Sequence, residues 1–249
     1  MVRCFKADLH THTCLSPCSD LEMSPQGIVQ AAVARGLDII GISDHNSAAN
    51  AQAVIRAARE APLLVIPGME ITTAEEVHVL ALFPSVETAL QVQRTMYAGL
   101  GTSDSEGYIQ EQVLANEDDE VEGFCSHLLV GASLLSLQRI VRLVKGEGGL
   151  AIAAHVDRQA FGIIGVLGFI PLQLEFDALE VSRHVPLPVA AQTFPMYSHH
   201  AFITSSDAHY LKDVGAVCTG LLLEEPTVEE VWAAFQGRAG RRIAPEGCG

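Results

Sequence analysis

The chain has 249 residues, 49% of them hydrophobic, and carries 30 acidic against 15 basic side chains for a formal charge of −15. That length suits one globular α/β unit with an ample core. The acidic balance, with no basic stripe to release counterions, makes long nucleic acid an unlikely partner, and no apolar run reaches the roughly 18–20 residues that span a bilayer.

Taken in order, residues 1–8 run straight into a first strand without the features of a secretion signal, which points to a cytoplasmic protein. The strand delivers His10 and His12, two imidazoles at i and i+2 that an extended backbone projects from one face. A polar loop over 14–20 follows, and Ser24-Pro25 then opens a helix that ends at Gly36. The apolar stretch 37–43 reads as a buried strand finishing in Asp44-His45-Asn46. A helix over 49–61 leads to a third strand, 63–70, that finishes in Glu70, and a fourth over 77–83 carries His78 and pairs beside it.

The rhythm breaks over residues 84–131. A helical stretch from 86 to 96 gives way to glycine, serine and the acids Glu117, Asp118, Asp119 and Glu120, an excursion read as solvated loop. Helix signals resume at 133–144, and the strand 150–154 ends in His155 with Arg158 just beyond. A weakly patterned segment, 161–169, reads as helix, a strand over 178–182 stops at Arg183-His184, and another over 201–206 ends in Asp207-Ala208-His209. A strand over 218–223 and a helix over 227–235 close the chain. Six cysteines at irregular spacing (4, 14, 18, 125, 218 and 248) suit reduced thiols better than a disulfide framework.

Alternating strands and helices argue for βα units and a sheet closed so that its C-terminal strand ends share one face. His10, His12, Asp44, His45, Glu70, His155, Asp207 and His209 all lie at such ends. Mixed imidazoles and carboxylates, too many for one tetrahedral ion, point to two or three divalent ions such as Mn, Fe or Zn. Such a cluster suits phosphoester hydrolysis by a metal-bridging hydroxide.

The segments Asp8-Leu9-His10-Thr11-His12, Ser43-Asp44-His45-Asn46, Pro67-Gly68-Met69-Glu70, His155 and Ser206-Asp207-Ala208-His209 resemble the successive motifs of the PHP (polymerase and histidinol phosphatase) family. The resemblance covers most of the chain and implies a single catalytic domain over 1–249, built as a distorted seven-stranded (βα) barrel, TIM-barrel-like, with up to three metals at its C-terminal face. It implies that His10, His12, Glu70 and Asp207 hold one ion, His45 and His209 a second, and Glu70, His78 and His155 a third. The family usually adds a histidine or aspartate shortly after the His-x-His pair. Here Cys18 or Asp20 stands in that loop, or the position is empty and two ions bind; Asp20 is the preferred ligand.

On this reading Asp207 handles the proton, and Arg158, Arg183 and His184 are candidates to bind phosphate. The expected substrate is a small phosphomonoester, nucleotide or short oligonucleotide. A C–N hydrolase of amidohydrolase type is the competing enzyme class, but such enzymes commonly bridge metals through a modified lysine, and only Lys6, Lys145 and Lys212 are present. A non-catalytic, metal-stabilised module is the third reading.

Overall fold

The computed structural model describes residues 1–102, 111–244 and 247–248. Strands β1 (Arg3–Thr11), β2 (Ile39–Ile42), β3 (Leu64–Thr72) and β4 (His78–Leu82) are interleaved with helices α1 (Pro25–Ala34) and α2 (Ala51–Ala57). After α3 (Val86–Tyr97) come a short hairpin, β5 (Val113–Ala115) and β6 (Val121–Phe124), then α4 (Leu137–Gly146) and β7 (Leu150–Ala153). The remainder is α5 (Ile163–Leu167), β8 (Ala178–Val181), α6 (Ala190–Thr193), β9 (Phe202–Thr204), β10 (Thr219–Leu223), α7 (Val228–Phe235) and β11 (Arg242–Ala244).

Nine strands form one sheet in the order β11-β10-β1-β2-β3-β4-β7-β8-β9, two more than the seven expected. The sheet curls until β9, at one end, meets β10, next to the other end, where Thr219 Oγ1 accepts from Thr204 N at 2.8 Å and donates to Thr204 O at 2.7 Å. This near-closure makes the sheet barrel-like. The pairing is mixed, because β4 runs antiparallel to both β3 and β7. The connection over 73–77 is too short for a crossover, so β3 and β4 form a hairpin.

Phe5, Leu9, Ile39, Ile66, Ile152 and Ile203 come from successive strands and pack into one fully buried cluster, with Val231 and Ala234 of α7 joining it. A second cluster packs α3 and α4 on the sheet, and a third packs α1 and α2. Burying these clusters at about 25 cal/mol per Å² of apolar surface is the main term favouring the fold. Gly41 allows β2 to lie against β1: a Cβ there would sit 2.3 Å from Leu9 O.

Several local readings need correction. Cys4 and Cys248 are joined by a disulfide across 244 residues, so the thiols are not all reduced; irregular spacing says nothing about pairs brought together by the fold. Asp119, read as part of a solvated acidic run, accepts from Gln26 N at 2.9 Å and from Ser24 Oγ at 2.8 Å, at the N-terminus of α1 where its charge is favoured. Its sharp turn, with φ of 64°, aims it there. Among the described residues no helix is long and apolar enough to cross a membrane.

Candidate metal centre

The C-terminal end of β1 carries a one-residue bulge between Asp8 and Thr11, in the stretch that holds His10. Bulges of this kind re-aim side chains beside functional sites. Beyond it, His12 N donates to Ala208 O at 3.0 Å, and Thr11 bridges to Ala208, fixing the segment with Asp207 and His209 to the His-x-His strand. Asp8 is fully buried and accepts from Ser206 N (2.9 Å), Ser206 Oγ (2.6 Å) and Gly215 N (2.8 Å), which orients the turn leading into Asp207. Burial pushes the Asp8 carboxyl up to about 6 despite these donors. On the other side, His45 bridges in parallel to Glu70, so β2 and β3 present those two side chains together.

These elements bring their side chains to one point. Glu70 Oε1 accepts from His78 Nδ1 at 2.6 Å and from His155 Nε2 at 2.9 Å. Its other oxygen lies 3.2 Å from His45 Nδ1, 3.4 Å from His12 Nε2 and 3.5 Å from His10 Nε2. Asp207 Oδ1 is 3.1 Å from His12 Nε2 and 3.4 Å from His10 Nε2, while its Oδ2 pairs with Arg158 Nη1 at 2.7 Å. Among the described residues three groups have donor atoms close enough to share an ion: His10, His12, Glu70 and Asp207; His12, His45 and His209; and His45, Glu70 and His78.

The tautomers suit metal binding. His10 Nδ1 donates to the Glu180 carboxylate at 3.0 Å, His12 Nδ1 to Ser16 Oγ at 2.9 Å, and His209 Nδ1 to the Asp207 carbonyl at 2.9 Å. Ser16 passes its own proton to Asp44 Oδ1 at 2.7 Å, so a buried carboxylate stands behind each imidazole of the opening pair. Anchoring Nδ1 this way leaves Nε2 as the ligand atom and raises its basicity. His10 Nε2 and His45 Nδ1 are buried and have no hydrogen-bond partner. An unsatisfied buried nitrogen costs stability unless something fills the space it faces. Divalent cations fit that requirement and this donor set.

The charges are consistent with it. Burial alone would lower His10 and His12, but Glu180, Glu70 and Asp207 hold His10 well above its ordinary value and Asp207 and Glu70 hold His12 up at about 9. Glu70 and Asp207 in turn stay ionised well below the usual carboxylate range, since neighbouring imidazoles outweigh burial. His45 is lowered well below its ordinary value by burial and by the charges of His12 and His78. His209 falls to about 4, first by burial and then by His12.

Backbone geometry at the site is also unusual. His155 (φ 28°), Asp207 (φ 50°), Asn46 (φ 51°) and Phe161 (φ 61°) occupy the left-handed region although none is glycine. Such residues cluster at functional sites because surrounding structure must hold them there. Gly162 relieves the turn after Arg158, where a Cβ would lie 2.4 Å from Arg158 O.

The donors open into a cavity of about 290 Å³ whose walls include Cys18, Val130, Arg158 and Phe161. Phe161 stacks on His78 at 4.4 Å between centroids. Val130 comes from the end of the 84–131 excursion, held there because Asn46 Nδ2 donates to Leu129 O and Gly131 O. An adjoining cavity of about 320 Å³ shares Cys18, Arg158, Asp207 and His209, and adds Arg183, His184 and Tyr210.

Asp20 is not brought into the cluster. Its Oδ1 accepts from Glu22 N at 2.8 Å, closing a turn, as aspartate does readily in loops. Arg183 stands apart from the donor cluster, 3.4 Å from Asp213. His155, expected beside Glu70 and His78, does touch Glu70, but the third donor group takes His45 in its place. Glu180 was not anticipated. The signal was present as a single carboxylate inside the apolar strand 178–182, where a buried charge demands a partner.

Residues 8–160 match the family described as PHP domain. A 5'-3' exoribonuclease of Haemophilus influenzae is 32% identical over 99 residues, which cover 36% of this chain and 35% of that protein. The lesion-specific endonuclease PfuEndoQ from Pyrococcus furiosus has a similar fold, with a TM-score of 0.73 at 17% identity over 96% of this chain and 57% of the other. An amidohydrolase from Chromobacterium violaceum, solved with sulfate and no metal, gives 0.55 at 17% identity over 92% and 96% of the two chains. The chain thus spans about a third of the exoribonuclease and little over half of the endonuclease.

Proposed function

Since the chain belongs to the PHP domain family, we propose that it hydrolyses phosphoesters with divalent ions held at the C-terminal face of its barrel. The observation that carries this reading is the convergence of His10, His12, His45, Glu70, His78, Asp207 and His209 into three overlapping donor groups, with buried imidazole nitrogens left unpaired between them. His10, His12, Glu70 and Asp207 would hold one ion and His12, His45 and His209 a second. Glu70, His45 and His78 would hold a third, beside His155. Ions so placed supply Lewis acidity toward a phosphoryl oxygen and lower the pKa of water to near neutrality.

The chain's own residues do the rest. Asp207 presents Oδ1 to the imidazoles and Oδ2 to the cavity side through Arg158, a position from which it takes a proton from the attacking water. Arg158 is 41% exposed at its side chain, free to turn from Asp207 and grip non-bridging phosphate oxygens through its planar fork. Arg183 and His184 line the adjoining cavity and suit a second anionic group on the substrate. Phe161 and Val130 add apolar surface to the donor cavity, against which a leaving group would pack. A nucleotide or the end of an oligonucleotide matches that division.

Two of the similar proteins bear nuclease names, so they give no support to excluding long nucleic acid. The expectation rested on net charge, whereas binding depends on the local field, and the cavity rim carries two arginines. The amidohydrolase alternative has the fold in its favour. Against it, no lysine lines the donor cavity: Lys145 pairs with Asp177, and Lys212 sits over the Tyr210 ring.

Metal content of protein purified without chelator, with phosphate release from nucleotides, sugar phosphates and short oligonucleotides before and after metal removal, tests the proposal. Two or three equivalents and metal-restored release support it. Metal without activity on the panel favours the structural module, and absence of metal overturns the reading.

A further inference from the structure

We infer that Asp157 and Ser182 form a strut that fixes the separation of the two arginine-bearing loops beside the donor cluster, and so selects phosphoesters that carry a second phosphate at one set distance from the ester being cleaved. The inference deepens the phosphoester reading above and rests on it.

β7 and β8 run parallel, and their pairing continues past the strand ends as far as Val156 N, which donates to Glu180 O at 2.8 Å. There the chain turns away: His155 has φ of 28°, and Arg158 N donates back to His155 O at 2.9 Å. Ser182 N, just past β8, is therefore met not by a backbone carbonyl but by the Asp157 carboxylate, with Oδ1 at 2.7 Å. The other carboxylate oxygen accepts from Ser182 Oγ at 2.5 Å. Ser182 Oγ in turn accepts from His184 N at 3.3 Å, and Val185 N donates to Ser182 O at 3.0 Å, closing a turn with Arg183 and His184 at its centre. Each end of the strut is thus the chain neighbour of a phosphate-binding candidate, Asp157 of Arg158 and Ser182 of Arg183.

Arg158, Arg183 and His184 line one cavity of about 320 Å³ together with Asp207 and His209. Among the described residues, Asp157 and Ser182 line neither that cavity nor the donor cavity, and both oxygens of Asp157 are engaged by Ser182. They are positioning residues, acting through their neighbours. Arg158 is paired with Asp207 at 2.7 Å, at the edge of the donor cluster, whereas Arg183 makes a looser contact, 3.4 Å, with Asp213. Arg158 accordingly marks the phosphate under attack, and Arg183 with His184 marks a second one. A clamp with two points of grip discriminates between spans only as far as those points are held rigidly. A carboxylate bonded twice to a buried serine supplies that rigidity.

Phosphate release from linear alkanediol bisphosphates of increasing chain length, and from the matching alkyl monophosphates, tests this on the metal-loaded full chain. In wild type kcat/KM should peak at one length, with KM there at least about tenfold below that of the matching monophosphate. Asp157→Asn and Ser182→Ala should flatten the peak, raising KM at the preferred length about tenfold while kcat moves less than about threefold. Ser182→Thr, which keeps the hydroxyl, should preserve the peak, and metal content should match wild type in all three variants. Should Ser182→Ala not fold, Asp157→Asn and the wild-type profile decide. Absence of a length preference in wild type, a peak that survives in Asp157→Asn, or a fall in kcat that is equal at every length would overturn the strut and leave metal-dependent hydrolysis intact. So would release from the nucleotide and sugar phosphate panel with none from any bisphosphate. No metal-restored release from either set of compounds would overturn both readings.

Discussion

His10 is held above its ordinary value and His12 at about 9, whereas His45, 4.6 Å from His12 between ring centroids, lies well below and His209, stacked on His12 at 4.2 Å, at about 4. His10, His12 and His45 are buried and His209 is half-buried, and burial pushes each of them down. What separates them is the balance: at His10 and His12 the carboxylates outweigh burial, whereas at His45 and His209 burial and the charges of neighbouring imidazoles outweigh the carboxylates. Without metal, protons on His10 and His12 take the place of cations between the carboxylates, and the His45 and His209 side stays neutral. Loading the groups that contain His10 or His12 therefore displaces protons, while His45 and His209 contribute none.

Removing the residue common to both sides breaks the contrast most severely. Glu70→Gln should lower phosphate release by roughly a thousandfold or more and remove at least one equivalent of metal, read by initial rates and elemental analysis. A loss under tenfold would show that Glu70 does not join the two halves.

Glu180→Gln should act on one side only. It weakens the partner of His10 Nδ1, so metal competition against a chelator should show affinity at the His10 group falling about 10–100-fold. The His45 and His209 group should be unaffected, and equal weakening of both would remove the distinction.

The contrast also fixes how the metal-free protein responds to pH. His12 is raised from 6.5 to about 9 by folding, so its contribution is complete below 6.5 and is lost as pH rises through 9. His209 is lowered from 6.5 to about 4, so its contribution is complete above 6.5 and is lost as pH falls through 4. Thermal midpoints in chelator should peak near 6.5 and fall on both sides, and added divalent metal should abolish the alkaline fall. A flat profile from 6.5 to 9 would show that His10 and His12 do not carry the protons. The smallest effect belongs to Asp20→Asn, which should change rate and metal content less than about twofold, as for a surface change away from the chemistry.

Much of this site could be read before any coordinates because its candidate ligands sit at strand ends in short fixed spacings: His10 and His12, Asp207 and His209. The i, i+2 geometry of an extended backbone is local, and so is legible. Glu180 is positioned by a contact across 170 residues, and no local pattern carries that. The same holds for the Cys4–Cys248 disulfide and for Asp119 at the end of α1. Strand order was partly hidden for the same reason. The close succession of β3 and β4 announced a hairpin, but β5, β6 and β11 are only three or four residues long, and their pairing depends on partners rather than on periodicity. Asp20 was singled out by residue type, while its hydrogen bond to Glu22 N is a property of the turn that residue type does not announce.

The meeting of β9 with β10 through one threonine has a further consequence. Neighbouring strands elsewhere share backbone ladders, but β9 and β10 meet through the Thr219 hydroxyl. Between the two strands themselves that seam is held by two hydrogen bonds to a side chain, and just beyond β9 it is closed by backbone pairing of Ala208 with β1 and by Ser206 on Asp8. β9 leads directly into Asp207 and His209, whose partners lie on β1 and beyond. Ions bound there would act as a clasp across the seam, and the slow exchange of amide hydrogens along β9 would then report occupancy of the centre without any substrate being present.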